Sequence, residues 1–315
     1  MLLPPHWTCS RPSHCRWTPR CAACRNASSA PTTDRTLVMP CAAPANRPWS
    51  ACSASWRTDM GYVIVTGAAG GIGQALVRAF AEAGYPVIGV DLAAKPERLP
   101  TAHYIQCDLA RTVAEPTYAE EIFSTIRTTL DGQPFDALIN NAAVQILGKV
   151  EGLNRDAWHR TLDVNLLAPF LWAQALLPEL EEAKGCVLNI SSIHARLTKP
   201  EFVAYATSKA ALSGMTRAMA IELGSRVRVN AIEPAAIDTP MLLAGFNGNP
   251  AGYELLKYCH PSRCVGSTDG LARLAVAITQ LEDGFANGSI VRFDGGIGAQ
   301  LHDPRTLYVS CEDSG

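Results

Sequence analysis

The chain has 315 residues, 48% of them hydrophobic, which is enough to enclose a core in one large domain or two small ones. A formal charge of −2 excludes the broad positive field that draws nucleic acid or anionic lipid, so neither is an expected partner. The longest apolar stretch, 166–180, is interrupted by Gln174 and Glu179 and falls short of the ~20 residues of a membrane span, so it reads as a buried helix.

Residues 1–59 hold seven arginines, no lysine, no glutamate and four of the six tryptophans, with neither a 3.6 nor a 2.0 hydrophobic period. An irregular, unstructured extension is expected there. Three readings compete: a targeting peptide, a small metal module built on the C-x-x-C of Cys21 and Cys24, or a segment upstream of the true start. The strand pattern that begins directly after Met60 favours Met60 as the working start. Six of the eleven cysteines precede residue 60, and the other five show no paired spacing, which suits reduced thiols in a cytoplasmic enzyme. No metal site is expected.

From Met60 onward apolar strands alternate with amphipathic stretches, the pattern of a parallel sheet with crossover helices. Strands are predicted at 62–66, 86–90, 103–107, 136–140, 186–190, 227–232 and 289–293. Helices are predicted at 72–83, 118–130, 155–182, 203–223 and 269–282. With no internal repeat or linker, 60–315 reads as one doubly wound α/β domain with a seven-stranded parallel sheet.

The stretch "VTGAAGGIGQAL" joins the first predicted strand to the first helix, the context that a phosphate-binding glycine turn requires. Gly67 suits the tight turn, Gly71 a close approach of backbone to pyrophosphate, and Gly73 the contact of helix with strand. Glycines in such a turn also serve the turn alone. Asp91 ends the second strand 24 residues after Gly67, near the spacing at which a carboxylate meets an adenosine ribose. It would accept from ribose hydroxyls and repel a 2′-phosphate, and the nearest cation is Lys95, so NAD is expected rather than NADP. The plainer reading is a solvated carboxylate at a strand end.

In "ISSIHARLTKPEFVAYATSK" the Tyr205 and Lys209 side chains share a helix face at i and i+4, with Ser192 thirteen residues earlier at the carboxyl end of a strand. A tyrosine titrating near ~10 is a serviceable acid and a poor base, and a nearby ammonium is expected to bring it toward neutrality. Tyr205 would then exchange a proton with an alcohol or ketone oxygen that Ser192 orients.

The ordered set "TGAAGGIG", "CDL" (107–109), "NNAA" (140–143), "VN" (164–165), "ISS" (190–192), "YATSK" (205–209), "RVNAIEPAAIDTPM" (228–241) and "DGG" (294–296) resembles the short-chain dehydrogenase/reductase family over nearly all of 60–315. The resemblance implies a Rossmann-type NAD(P)-binding oxidoreductase. It makes Asn165, Ser192, Tyr205 and Lys209 the catalytic residues, Asn165 holding a water in a relay to Lys209, with Ser192 rather than Ser191 as the working serine. It places Gly67, Gly71, Ile72, Gly73, Asp91, Asp108, Leu109, Asn141, Tyr205, Lys209, Ile237 and Thr239 around the cofactor, with Asp108 toward adenine and Ile237 and Thr239 toward the nicotinamide half. It also implies a homotetramer. Two positions depart from the family: Ala143 and Ala235 stand where glycine is common, and alanine fits there only if the backbone φ is negative.

The segment 241–264 reads as a lid, and Phe246, Tyr253, Tyr258 and His260 are its candidates for facing substrate. Gln145, His194 and Arg196 are the candidates elsewhere, and for each the alternative is ordinary packing or exposure. The expected activity is NAD-dependent interconversion of a secondary alcohol and a ketone in a small, sugar-like or hydroxylated compound. The alternatives are a 3-oxoacyl thioester reductase and a non-catalytic nucleotide sensor.

Overall fold

The structure is a computed structural model that describes residues 60–301 apart from Asn247 and Glu282, so the readings of 1–59 and of Cys311 lie outside the described residues. Seven strands are found there: β1 (Tyr62–Thr66), β2 (Val87–Asp91), β3 (His103–Gln106), β4 (Phe135–Asn140), β5 (Cys186–Ile190), β6 (Arg228–Pro234) and β7 (Ile290–Phe293). They form one parallel sheet in the order β3-β2-β1-β4-β5-β6-β7. Each predicted strand is present to within two residues at either end.

Helices cover both faces, which is why the central strands are continuous apolar runs rather than alternating ones. On one face α1 (Gly71–Glu82) packs with α10 (Thr268–Thr279) through Leu76, Phe80, Leu271 and Ala275. The other face carries α2 (Leu109–Ala114), α3 (Pro116–Leu130), α4 (Arg155–Leu162), α5 (Ala168–Ala175), α6 (Leu177–Ala183) and α7 (Val203–Leu223), with a second core around Ile126, Leu138, Trp172 and Val229. Two short helices, α8 (Pro240–Ala244) and α9 (Pro250–Cys259), follow β6 in the predicted lid.

The predicted single helix over 155–182 is corrected: it is three helices, with a π-helical turn at Asp163–Leu167 between α4 and α5. The apolar period runs through the whole stretch, but Pro169 and Pro178 sit at the starts of α5 and α6. Proline has no N–H for the carbonyl four residues earlier and its ring clashes there, so the ladder must widen or restart. For Pro169 that carbonyl belongs to Asn165.

The chain reverses direction through the sheet between β1 and β4, and ligands of open parallel sheets bind outside the carboxyl ends of strands at such a switch point. Gly67, Asp91, Asn141, Ser191, Ser192 and Ala235 all stand at or directly after those ends. Neither Ala143 nor Ala235 has positive φ, so alanine is unstrained at both positions that depart from the family.

Candidate active site

The turn from β1 into α1 is built for glycine. Gly67 has φ of +67°, and a Cβ placed on Gly73 would lie 1.8 Å from the Gly67 carbonyl oxygen, so that oxygen occupies the side-chain position. On Gly71 a Cβ would come within 3.1 Å of Thr239 and Pro240. The N-cap of α1 is Gly70, no side chain caps the helix, and the rim carries no Cβ at 67, 70 or 71. Open N–H groups at the start of a twelve-residue helix fit the pyrophosphate of a dinucleotide. Ile72, half-buried, packs against the core beneath.

Two strands hold the turn from below. Asn141 Nδ2 donates to the carbonyls of Thr66 at 2.9 Å and Gly67 at 3.1 Å. The backbone N–H groups of Asn141 and Ala142 both donate to Thr66 Oγ1, at 3.0 and 3.1 Å. Asp91 accepts from the N–H of Ala69 through Oδ2 and from that of Ala93 through Oδ1, each at 2.9 Å. Each oxygen keeps a lone pair for a ribose hydroxyl. Asp108 caps α2 through Ala110 N and forms an ion pair with Arg160 at 3.0 Å, while the adjoining Leu109 is buried in the core. Ile237 is 5% exposed, its side chain in the core, so its backbone is what it offers the cleft. Thr239 caps α8, its Oγ1 accepting from Leu242 N at 3.2 Å.

Across the cleft, Ser192 opens a short 3-10 turn (Ile193–Ala195) and its Oγ accepts from His194 N at 3.2 Å. Tyr205 and Lys209 lie one turn apart on α7, and Lys209 Nζ stands 5.8 Å from the centre of the Tyr205 ring while donating to Ile190 O at 2.8 Å. Burial raises the Tyr205 phenol above its ordinary value, and a hydrogen bond with Ser192 works in the opposite direction. Burial also lowers Lys209 to about 7. The expected acidified phenol is therefore not what the structure holds without a cofactor: desolvation dominates at both groups, and the ammonium is only partly charged at neutral pH.

Asn165 is buried on the π-helical turn, and its Oδ1 and Nδ2 meet the N–H and carbonyl of Val144, with Nδ2 also 3.0 Å from Ser208 Oγ. Ser208 in turn donates to Tyr205 O at 2.7 Å. The sequence reading passed over Ser208 and Thr66, although both lie inside its own motifs, because hydroxyls that serve backbone leave no spacing signature.

Of the substrate candidates, His194 stands nearest the chemistry. Its ring stacks on Phe202 at 4.3 Å and meets the Tyr205 ring edge-on at 5.7 Å. Its Nδ1 lies 3.0 Å from Thr198 Oγ1. Burial, with Lys199 adding to it, lowers the imidazole to about 4, so it is neutral at physiological pH. Phe202, missed by sequence, completes this aromatic wall, and only its spacing from Tyr205 pointed there. Arg196 instead donates through Nε to the buried Glu233 at 2.8 Å. Gln145 is exposed, and Phe246 packs on Tyr253 within the lid at 5.7 Å. Tyr258 is exposed and lies under the Arg263 guanidinium, and His260 is 2% exposed with Nδ1 on Leu256 O, so the His260 ring is closed off from the cleft.

A family model described as enoyl-(acyl carrier protein) reductase matches residues 67–298. D-threitol dehydrogenase of Mycolicibacterium smegmatis is 31% identical over 252 residues, 76% of this chain and 94% of its own length. The ligand-free aldohexose dehydrogenase of Thermoplasma acidophilum superposes with a TM-score of 0.71 at 27% identity, covering 78% of this chain and 98% of that one. A 4-hydroxyisoleucine dehydrogenase complexed with NADH superposes with a TM-score of 0.68 at 29% identity, covering 76% of this chain and all of that one. With the glycine turn, the parallel sheet and these likenesses agreeing, the chain belongs to the short-chain dehydrogenase/reductase family, and it is an oxidoreductase of alcohols and carbonyls that works with a nicotinamide cofactor.

Proposed function

We propose that the protein is an NAD-dependent dehydrogenase of a polyhydroxylated, sugar-like secondary alcohol, with Tyr205 as acid and base. The observation that carries this reading is the linked pair of hydroxyls on Ser192 and Tyr205, above a buried Lys209 and beside a glycine turn fit for a dinucleotide. A bound nicotinamide would accept the hydride in oxidation and supply it in reduction. Ser192 would hold the substrate oxygen while Tyr205 takes up or returns its proton, and Lys209 would hold the charge that this transfer needs. Asn165, fixed to Val144, would keep the floor of the site in place, and its carbonyl, denied a partner at Pro169, is the group suited to hold a water toward Lys209.

Cofactor choice rests on Asp91, whose carboxylate would repel a 2′-phosphate. The same residue argues against the 3-oxoacyl thioester reductase, a reductive role that ordinarily takes NADP. Substrate class rests on the wall of His194 and Phe202, a flat apolar surface edged by a neutral ring nitrogen, which suits the C–H face and hydroxyls of a sugar or polyol. An anionic substrate has less support, since Arg196 is held by Glu233. A domain spanning 60–315 as the working unit, and a homotetramer built on α4 to α7, complete the reading. Leu167 on the π-helical turn, Phe170 on α5 and Ile221 on α7 are exposed, Ile221 at 86%, which supports a covered face in the assembly.

The test is NADH formation over a panel of polyols, aldoses, steroids and thioesters, with NAD and NADP compared and light scattering on the same sample. Turnover of polyols or aldoses with NAD supports the proposal. Preference for steroids or for NADP overturns its substrate or cofactor part, and absence of any turnover would favour the nucleotide sensor.

A further inference from the structure

Ser191 adjoins the catalytic serine, yet its hydroxyl belongs to a different set of groups. Its Oγ lies 3.1 Å from the Lys209 carbonyl and 2.8 Å from Ser213 Oγ. Ser213 Oγ donates to Glu233 Oε1 at 2.9 Å, and Arg196 Nε donates to Glu233 Oε2 at 2.8 Å. Glu233 is 2% exposed, and both of its oxygens are thereby engaged. With Arg196 alone it would make a neutral pair.

Two further guanidiniums open onto the same place. Arg217 lies one turn beyond Ser213 on α7, and Arg292 on β7 is the register partner of Glu233, so both strands direct these side chains to the face that α7 covers. Together with Arg196 and Glu233 they line a cavity of about 240 Å³. Ala195 and Ala210 leave it room, and Ile290 supplies an apolar side. Neither Arg217 nor Arg292 forms an ion pair among the described residues. Three positive groups and one spent carboxylate leave two charges without a counterpart.

We propose that this cavity is a binding site for a small dianion, a phosphate or phosphomonoester group or a short dicarboxylate, separate from the dinucleotide cleft. Guanidiniums are matched to such groups, since their planar fork bonds carboxylate and phosphate oxygens in pairs. The volume is below the ~300–1,000 Å³ of clefts that hold drug-sized ligands, which restricts the occupant to a small one. Two unmatched charges favour a dianion over a monoanion.

The test uses the full chain saturated with NAD, so that the phosphate subsite of the cofactor is filled. Calorimetric titrations with inorganic phosphate, glycerol phosphate, succinate and acetate are run at one ionic strength. At least one dianion should bind, acetate at least tenfold more weakly, and Arg217→Gln/Arg292→Gln should weaken the dianion at least tenfold while basal turnover and NAD affinity hold. The three dianion arms separate inorganic phosphate, a phosphomonoester and a dicarboxylate as the occupant. Should the glutamines disturb folding, Arg217→Lys/Arg292→Lys, which keeps the charge and loses the fork, should still weaken binding. No dianion bound, equal affinity for acetate, or unchanged affinity in the double glutamine variant would overturn the proposal. So would a fall in oligomeric state of that variant without dianion binding in the parent, since the guanidiniums would then be answering acids on another subunit.

Discussion

The amide of Asn165 grips the backbone of Val144 from both sides, accepting from its N–H at 2.8 Å and donating to its carbonyl at 2.9 Å. One buried side chain thus ties the π-helical turn to the segment that follows β4, and so to the edge of the cleft. Asn165→Leu would leave that N–H, that carbonyl and the Ser208 hydroxyl short of a partner. Each such orphan costs about 1–3 kcal/mol, so a loss of about 3 kcal/mol is expected in urea denaturation, with turnover reduced as well.

The two adjacent serines should part company. Ser192 shares its hydrogen bond with Tyr205, whereas Ser191 is held among Ser213 and the Lys209 carbonyl. Steady-state kinetics should show Ser192→Ala losing roughly 10²–10³ in kcat, and Ser191→Ala less than about tenfold. Equal losses would reverse the assignment.

Tyr205→Phe should lower turnover by at least ~10³ while NADH fluorescence titration gives nearly unchanged affinity, because the ring that remains still fills its place on α7. Near-normal turnover would remove Tyr205 from the proton transfer.

Lys209 carries a stability cost whose sign can be read from its environment. Burial holds it at about 7, against 10.5 for the free side chain. Between those values the unfolded chain binds a proton that the folded chain does not. The stability contribution is therefore whole above about 10.5 and falls as the pH drops, reaching its lowest just below 7. Lys209→Met removes this cost but strands the Ile190 carbonyl, so at pH 7 the variant should be inactive and roughly 2 kcal/mol more stable. Its advantage should shrink as the pH approaches 10. An advantage that grows with pH would mean that Lys209 is not desolvated.

Asp91→Ser should raise the ratio of NADP to NAD use by roughly tenfold or more, since it removes the charge facing a 2′-phosphate. It also removes an acceptor from Ala69 N, so NAD affinity should fall in the same titration.

The parallel sheet was legible because its strands are apolar on both faces and glycines punctuate the first crossover. α7 is found over the residues its pattern predicts, Val203–Leu223. The break in the helix at 155–182 was signalled only by Pro169 and Pro178, because hydrophobic period records which side is buried and is indifferent to whether the ladder is α or π. The motif residues Ser192, Tyr205 and Lys209 could be nominated from spacing, as could the glycines, whereas Asn141 came only through the family resemblance. Arg196 could not be placed, since its partner Glu233 lies 37 residues away on a strand that reads as purely structural. His194 was nominated only for closeness to Ser192, and its stacking on Phe202 depends on a turn whose shape no local pattern announces.

The carbonyl that fills the side-chain position at Gly73 makes the phosphate-facing turn nearly uneditable: backbone stands where variation would have to enter. On the function proposed above, divergence in such a chain is consequently pushed outward, to the tip of β2 for the choice between dinucleotides and to the flaps after β5 and β6 for the choice among alcohols. A library confined to those rims would explore new chemistry on an unchanged engine, whereas one that touched the turn would sample mostly chains that never close around a cofactor.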